Sequence, residues 1–264
     1  LALPACVRAP CATRDGPPHE VAAGDVIAAG DPVRAERDEI YSLAAMAVAH
    51  RDWQRGTGPT TRGYNIGSVL VDAEGRLVDW GRNANRRTGN GTQHAEVRML
   101  QSYLAASKSY HLEGYTVYTT LEPCAQCAGM MVLAKVRRVV YALRDRDYGA
   151  ALERLALDSR ALGAGQGHAP YPRAVWSERA AFPLARTLQR SAAEALARPH
   201  PPALVAWLAS PEAERLFADA TERLRTLEPV HAENAAAALR ARAFVEGVPA
   251  RWAQRFPWDP AGPE

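Results

Sequence analysis

The chain has 264 residues, 47% of them hydrophobic and 23% charged, and Lys+Arg 32 against Asp+Glu 29 leaves a formal net charge of +3. That composition fits one large globular domain, or one domain with a smaller addition, and excludes a mainly disordered or fibrous chain. The charge is too even to announce a nucleic-acid binder, the four cysteines are too few for a disulfide scaffold, and the absence of an apolar run of about 18–20 residues argues against an integral membrane protein.

Leu1 to about Pro32 is rich in Ala, Pro, Gly and Asp, without an apolar period. It lacks the charged start and apolar stretch of a signal peptide, so residues 1–35 read as a poorly ordered tail and the expected location is cytoplasmic. Cys6 and Cys11 read as free thiols within it, and a first residue of Leu leaves a fragment or an atypical start open. From Arg37, the spacing of Ile40, Leu43, Ala44, Ala47 and Val48 predicts an amphipathic helix ending near Arg51. Gly56, Gly58 and Pro59 mark a loop. Ile66–Val71, the turn Asp72–Gly75 and Arg76–Trp80 then read as a β-hairpin.

A polar loop from Gly81 to Thr92 leads into a helix predicted over His94–Leu104. Tyr115–Thr120 is β-branched and aromatic, hence a strand. A helix over Ala125–Ala134 and a strand over Val136–Ala142 follow. This alternation predicts an α/β domain over 36–158, with helices packed on a partly parallel sheet. Residues 159–202 read as a Gly/Pro-containing connector: a long loop over Ala161–Arg173, a helix over Phe182–Ala197 and a linker at Pro199–Pro202. The remainder, 203–264, reads as a helical appendage of unknown role. Ser210-Pro211-Glu212 opens one of its helices with good start signals, and a second is predicted over His231–Val245.

Two short segments carry chemistry: His94-Ala95-Glu96 at a loop-to-helix junction, and Pro123-Cys124-Ala125-Gln126-Cys127 between a strand and a helix. One histidine and two cysteines are ligands that Zn2+ prefers, and three protein ligands leave the fourth tetrahedral position open, as catalysis requires. Cys124 and Cys127 reach one ion from a first helical turn, whose positive end favours thiolates. Glu96 can lean over the open position without being a ligand, taking a proton from a water whose pKa the metal lowers and handing it to a leaving group. His-x-Glu alone is weak: His231-Ala232-Glu233 repeats it with no cysteine pair after it and reads as ordinary helix content. A lone Cys-x-x-Cys fits a redox pair or half of a structural zinc site. Together and in this order, the two segments match the signature of zinc deaminases of nucleobases.

With these residues the sequence resembles the zinc-dependent cytidine/deoxycytidylate deaminase superfamily, and most of all its bacterial tRNA adenosine deaminase branch. Asn65–Asp72 is similar to that branch's early core strand and His94–Leu100 to its first metal helix. Tyr115–Met131 and Val136–Ala150 are similar to the strand–helix–strand that follows. The resemblance covers about Arg37 to Ala150. It implies a three-layer fold with a mixed five-stranded sheet, zinc held by His94, Cys124 and Cys127, and Glu96 as proton shuttle. It also implies that Asn83 contacts the base, unless it is a simple turn residue, and that the Ala95 backbone and the Pro123 carbonyl line the pocket. A homo-oligomer is implied by resemblance only.

The implied activity is hydrolytic removal of the exocyclic amino group of a nucleobase. Three substrates stay open: adenine in tRNA, to whose branch the core is most similar, and a free base, nucleoside or nucleotide, or a base in single-stranded nucleic acid, the last two taken together being narrowly preferred. Arg82, Arg86, Arg87, Arg137, Arg138, Arg144 and Arg146 are phosphate-contact candidates, with a solvated arginine face balanced by Asp145 and Asp147 as the alternative. Past about Ala151 the chain departs from the short helical ending of the tRNA branch, which puts the tRNA substrate in doubt and leaves the chemistry intact. A silent zinc-stabilised binding module is the rival of another class, and Glu96, which a structural site does not need, argues against it. A Cys124–His94 nucleophilic pair leaves Cys127 unexplained.

Overall fold

A computed structural model describes residues 30–160, 165 and 167–250, so the tail expected over residues 1–29, with Cys6 and Cys11, lies outside the described residues. Asp72 sets up the first turn of the sheet. Its Oδ1 accepts the backbone N–H groups of Glu74 (3.1 Å) and Arg76 (2.7 Å). The chain folds back there, and β1 (Gly67–Val71) pairs antiparallel with β2 (Leu77–Arg82), which is the expected hairpin. β1 also pairs antiparallel with β3 (Thr116–Leu121). From β3 the ladder continues in parallel through β4 (Arg138–Leu143) to β5 (Trp176–Arg179). The order β2-β1-β3-β4-β5 is the mixed five-stranded sheet that the resemblance implies. β5 falls outside every sequence expectation, because its four residues, Trp-Ser-Glu-Arg, show no apolar alternation.

Side chains alternate across the sheet. Leu70, Val117 and Val139 pack in one cluster with α2 (Ala95–Ser107), α3 (Ala125–Leu133) and the short α4 (Ala151–Leu155). Val69, Val71, Tyr118 and Val140 belong to a second cluster with α1 (Pro32–His50) and α5 (Pro183–Leu196). These are the three layers expected.

A further layer lies over α1. The short α6 (Leu204–Trp207), α7 (Pro211–Thr226) and α8 (Ala235–Gly247) share its core cluster, and α7 and α8 pack directly on α1. The described residues from Pro32 onward form one compact unit, so the predicted appendage is part of the main core, with no break in packing near residue 203. The amphipathic expectation for α1 is corrected accordingly: all ten residues from Ile40 to Ala49 are buried, as in a helix covered on both sides. The helix also begins before the predicted Arg37. Asn234, fully buried, donates through Nδ2 to the Val33 carbonyl (2.7 Å) and to Glu36 Oε2 (2.8 Å), holding its first turns. Ser210 caps α7 by accepting the Ala213 N–H at 3.2 Å, as its sequence signals predict.

A buried ion network locks the sheet to α1. Arg138 donates twice to Asp38, at 2.7 and 2.6 Å, and also pairs with Glu178 on β5. The Tyr118 hydroxyl donates to Asp38 at 2.7 Å.

Candidate active site

Two helix N-termini meet near the C-terminal end of β3. His94 is the N-cap of α2 and Cys124 the N-cap of α3, and neither uses its side chain as a cap. Both side chains are therefore directed elsewhere, and they meet. His94 Nδ1 lies 3.5 Å from Cys124 Sγ and 3.6 Å from Cys127 Sγ, and the two sulfurs are 3.8 Å apart. Among the described residues this is the one His/Cys/Asp/Glu cluster able to hold a metal ion.

The donor spacing suits zinc. Arms of about 2.3 Å to sulfur and about 2.0–2.1 Å to nitrogen, at tetrahedral angles, put sulfurs about 3.8 Å apart and nitrogen about 3.5 Å from sulfur. The three observed separations match this triangle, so His94, Cys124 and Cys127 fit the ion without rearrangement.

Glycine brings the first of these helices close. A Cβ at Gly81 on β2 would lie 2.0 Å from the Ala95 carbonyl oxygen and 3.0 Å from Met99 Cβ. Only a residue without a side chain lets the strand approach the first turn of α2 this closely. Ala95 and Pro123 are both buried beside the cluster.

Glu96 is 3% exposed. Thr119 on β3 donates to its Oε1 at 3.0 Å, and its Oε2 lies 3.6 Å from Cys127 Sγ. The carboxylate is thus next to the donor triangle while held by a separate partner. Burial pushes its pKa up. The hydrogen bond with Cys127, joined by that with His94, pulls the Cys124 thiol down to about 3. The same bond and burial hold Cys127 well above its ordinary value, and the bond to Cys124 raises His94. Zinc requires both sulfurs deprotonated, so binding releases protons.

Asn83, fully buried, follows β2. Its Oδ1 accepts the N–H groups of Tyr64 (3.1 Å) and Asn85 (3.3 Å), which fixes the orientation of the amide. Nδ2, also buried, has no hydrogen-bond partner among the described residues. Such a donor needs a partner, because leaving it unpaired costs about 1–3 kcal/mol.

The arginine candidates divide. Arg82 is not at the surface: it donates to the Val48 carbonyl (2.6 Å) and the Pro249 carbonyl (2.8 Å) and lies over the Trp80 ring. Arg138 is buried in the ion network. Both are corrected from phosphate contacts to structural residues, since their donors serve the interior. Arg86, Arg137, Arg144 and Arg146 are exposed and Arg87 is half-buried. Asp145, expected to balance that face, is buried and accepts the N–H groups of Asp147 and Tyr148. The second tripeptide, His231-Ala232-Glu233, lies at a 3-10 turn before α8. Thr119 has no sequence signal, because its role comes from strand register.

Comparison with known proteins agrees with this geometry. Residues 40–143 match the cytidine and deoxycytidylate deaminase zinc-binding region. The chain is 36% identical over 116 residues to a tRNA-specific adenosine deaminase of Agrobacterium fabrum, covering 44% of this chain and 71% of that protein. It is 33% identical over 115 residues to a tRNA-specific adenosine deaminase of Bacillus subtilis, covering 44% and 67%. A tRNA(Ile)-lysidine synthase of Deinococcus radiodurans is 31% identical over 120 residues, which is 46% of this chain and only 19% of that protein. The His-x-Glu and Cys-x-x-Cys segments, their convergence and these relatives lead to one conclusion: the chain belongs to the zinc-binding cytidine and deoxycytidylate deaminase family.

Proposed function

We propose that this protein hydrolytically removes the exocyclic amino group of a nucleobase, with His94, Cys124 and Cys127 holding zinc and Glu96 moving the proton. The observation that supports it best is the Glu96 carboxylate, buried, held by Thr119 and 3.6 Å from Cys127 Sγ. Its neighbours leave it beside the metal triangle, where a purely structural site has no use for it.

Zinc, when bound, makes water acidic enough to deprotonate near neutral pH. Glu96 accepts that proton as the water oxygen bonds to the ring carbon bearing the amino group. The carboxyl would return that proton to the neighbouring ring nitrogen and then carry the remaining hydroxyl proton to the amino group, so that the C–N bond breaks, ammonia leaves and a carbonyl remains on the ring. Asn83 donates from Nδ2 to an acceptor on the base, which answers the buried unpaired atom. The Ala95 backbone and the Pro123 carbonyl line the base pocket.

Adenosine in tRNA is the favoured substrate among the three. Its support is that the relatives from Agrobacterium fabrum and Bacillus subtilis are tRNA-specific adenosine deaminases, together with the exposed Arg86, Arg144 and Arg146. Ammonia release by the zinc-loaded protein decides, on adenosine, guanine, cytosine, bulk tRNA and single-stranded DNA. Release from tRNA alone establishes the tRNA substrate, and release from one small molecule replaces it. Glu96→Ala is expected to keep one zinc per chain while kcat falls by about 10²-fold or more. Wild-type turnover in that variant rules out the proton-shuttle role.

A further inference from the structure

The base-contacting amide proposed above needs a rigid mount, and the residues that supply it lie in the loop preceding β1. Arg62 is buried, with side-chain exposure of 3%. Its Nε donates to Asp52 Oδ2 at 2.7 Å and its Nη2 to the Asp52 carbonyl at 3.2 Å. Its Nη1 donates to the Asn83 carbonyl. The backbone of Arg62 holds the same loop from a second point, because its carbonyl accepts the Arg87 N–H at 2.9 Å. Its own N–H donates to Gln54 Oε1 at 2.9 Å.

The next two residues complete the mount. Gly63, at φ +151, leaves the space that Asn83 occupies: a Cβ there would lie 2.3 Å from Asn83 Oδ1. Tyr64 donates its N–H to that same oxygen. Arg62-Gly63-Tyr64 thus holds the Asn83 carbonyl, clears room for its side chain and fixes its amide oxygen, so that Nδ2 is the donor left over. Asn65 anchors the tripeptide in turn. Its Oδ1 accepts the Gln54 N–H (2.9 Å), and its Nδ2 donates to the Gln54 and Leu208 carbonyls at 2.8 and 3.1 Å.

A buried guanidinium is costly to desolvate and is retained where its donors are all used. Here those donors go to Asp52 and to backbone carbonyls, one of them that of Asn83. We infer that Arg62 is a positioning residue for Asn83: it fixes the backbone that carries the amide and so sets where Nδ2 points. The inference rests on the assignment of Asn83 as the base contact.

Arg62→Lys is the informative variant, because it keeps a cation beside Asp52 and loses the fork that reaches Asn83. The zinc-loaded full chain is measured in three ways: zinc per chain, the side-chain amide signals in a 15N–1H spectrum, and KM and kcat for ammonia release. The Asn83 amide signals are identified by their disappearance in Asn83→Ala. The probe is whichever of adenosine, guanine, cytosine, bulk tRNA or single-stranded DNA the wild type turns over best.

Arg62→Lys is expected to keep one zinc per chain, displace or broaden the Asn83 amide signals, and raise KM about tenfold with kcat within about threefold. Added to Asn83→Ala it is expected to cause no further loss. Unmoved Asn83 signals, or a KM effect that multiplies in full with that of Asn83→Ala, overturns the role. Should Arg62→Lys fail to fold, Asp52→Asn weakens the anchor of the guanidinium and is read by the same signals. If no probe releases ammonia, base deamination fails as the function, and the amide signals still decide the role of Arg62.

Discussion

Cys127 and Glu96 approach within 3.6 Å and are expected to respond differently to substitution. Cys127 is one of the three proposed donors, so Cys127→Ser removes a soft ligand from a cluster that, among the described residues, comprises His94, Cys124 and Cys127. Loss of bound zinc and a lower Tm together are the expected outcome, because metal binding and folding are coupled at such sites. Zinc content and thermal unfolding check this, and an unchanged zinc content counts against the ligand set. Glu96, by contrast, is held by Thr119 and can be removed with the metal in place. The cluster residues His94, Glu96, Cys124 and Cys127 were legible because short spacing brings each segment's pair to one helix start. Thr119, Arg62 and Gly63 were not, because their contacts depend on register and loop packing that local pattern does not encode.

At the scale of elements, the position of His94 depends on how closely β2 approaches α2. Gly81→Ala places a methyl group 2.0 Å from the Ala95 carbonyl oxygen, so the first turn of α2 must move. The expected cost is about 1–3 kcal/mol in denaturant unfolding, with weakened zinc binding because His94 moves with that turn. Normal zinc affinity in a destabilised variant would show that the cluster tolerates a displaced helix. The hairpin, α2, β3, α3 and β4 were legible from apolar spacing and from Asp72, whose carboxylate makes the turn. β5 was not, because four mostly polar residues reveal a strand only once β4 is beside them. The early start of α1 was not either, since Asn234 supports it from 198 positions away.

For the whole molecule, the C-terminal helices act as the second wall of α1. Phe217 on α7 is fully buried and packs its ring 5.1 Å from that of Trp53. Phe217→Ala is expected to cost about 3–5 kcal/mol, a large share of the stability of an ordinary domain. A single unfolding transition is expected to shift as a unit, with zinc release and loss of helical signal coinciding. Two separate transitions, with only the later helices affected, would show that α7 and α8 melt independently. Composition signalled helices there and left their partner unnamed, because an apolar stripe specifies burial without specifying against what.

The double-sided burial of α1 has a consequence for synthesis. At about 5–20 residues per second, the ribosome needs roughly 10–40 s to travel the 198 positions from Glu36 to Asn234. By the time Cys127 emerges the three proposed metal ligands are all made, yet the buried run Ile40–Ala49 still has one wall missing. A nascent chain at that stage carries a complete zinc motif on a sticky, half-covered helix. Chaperone occupancy is thus expected to persist until α8 is delivered, and a ribosome stalled before it leaves a product fit for proteolysis, however intact its zinc motif.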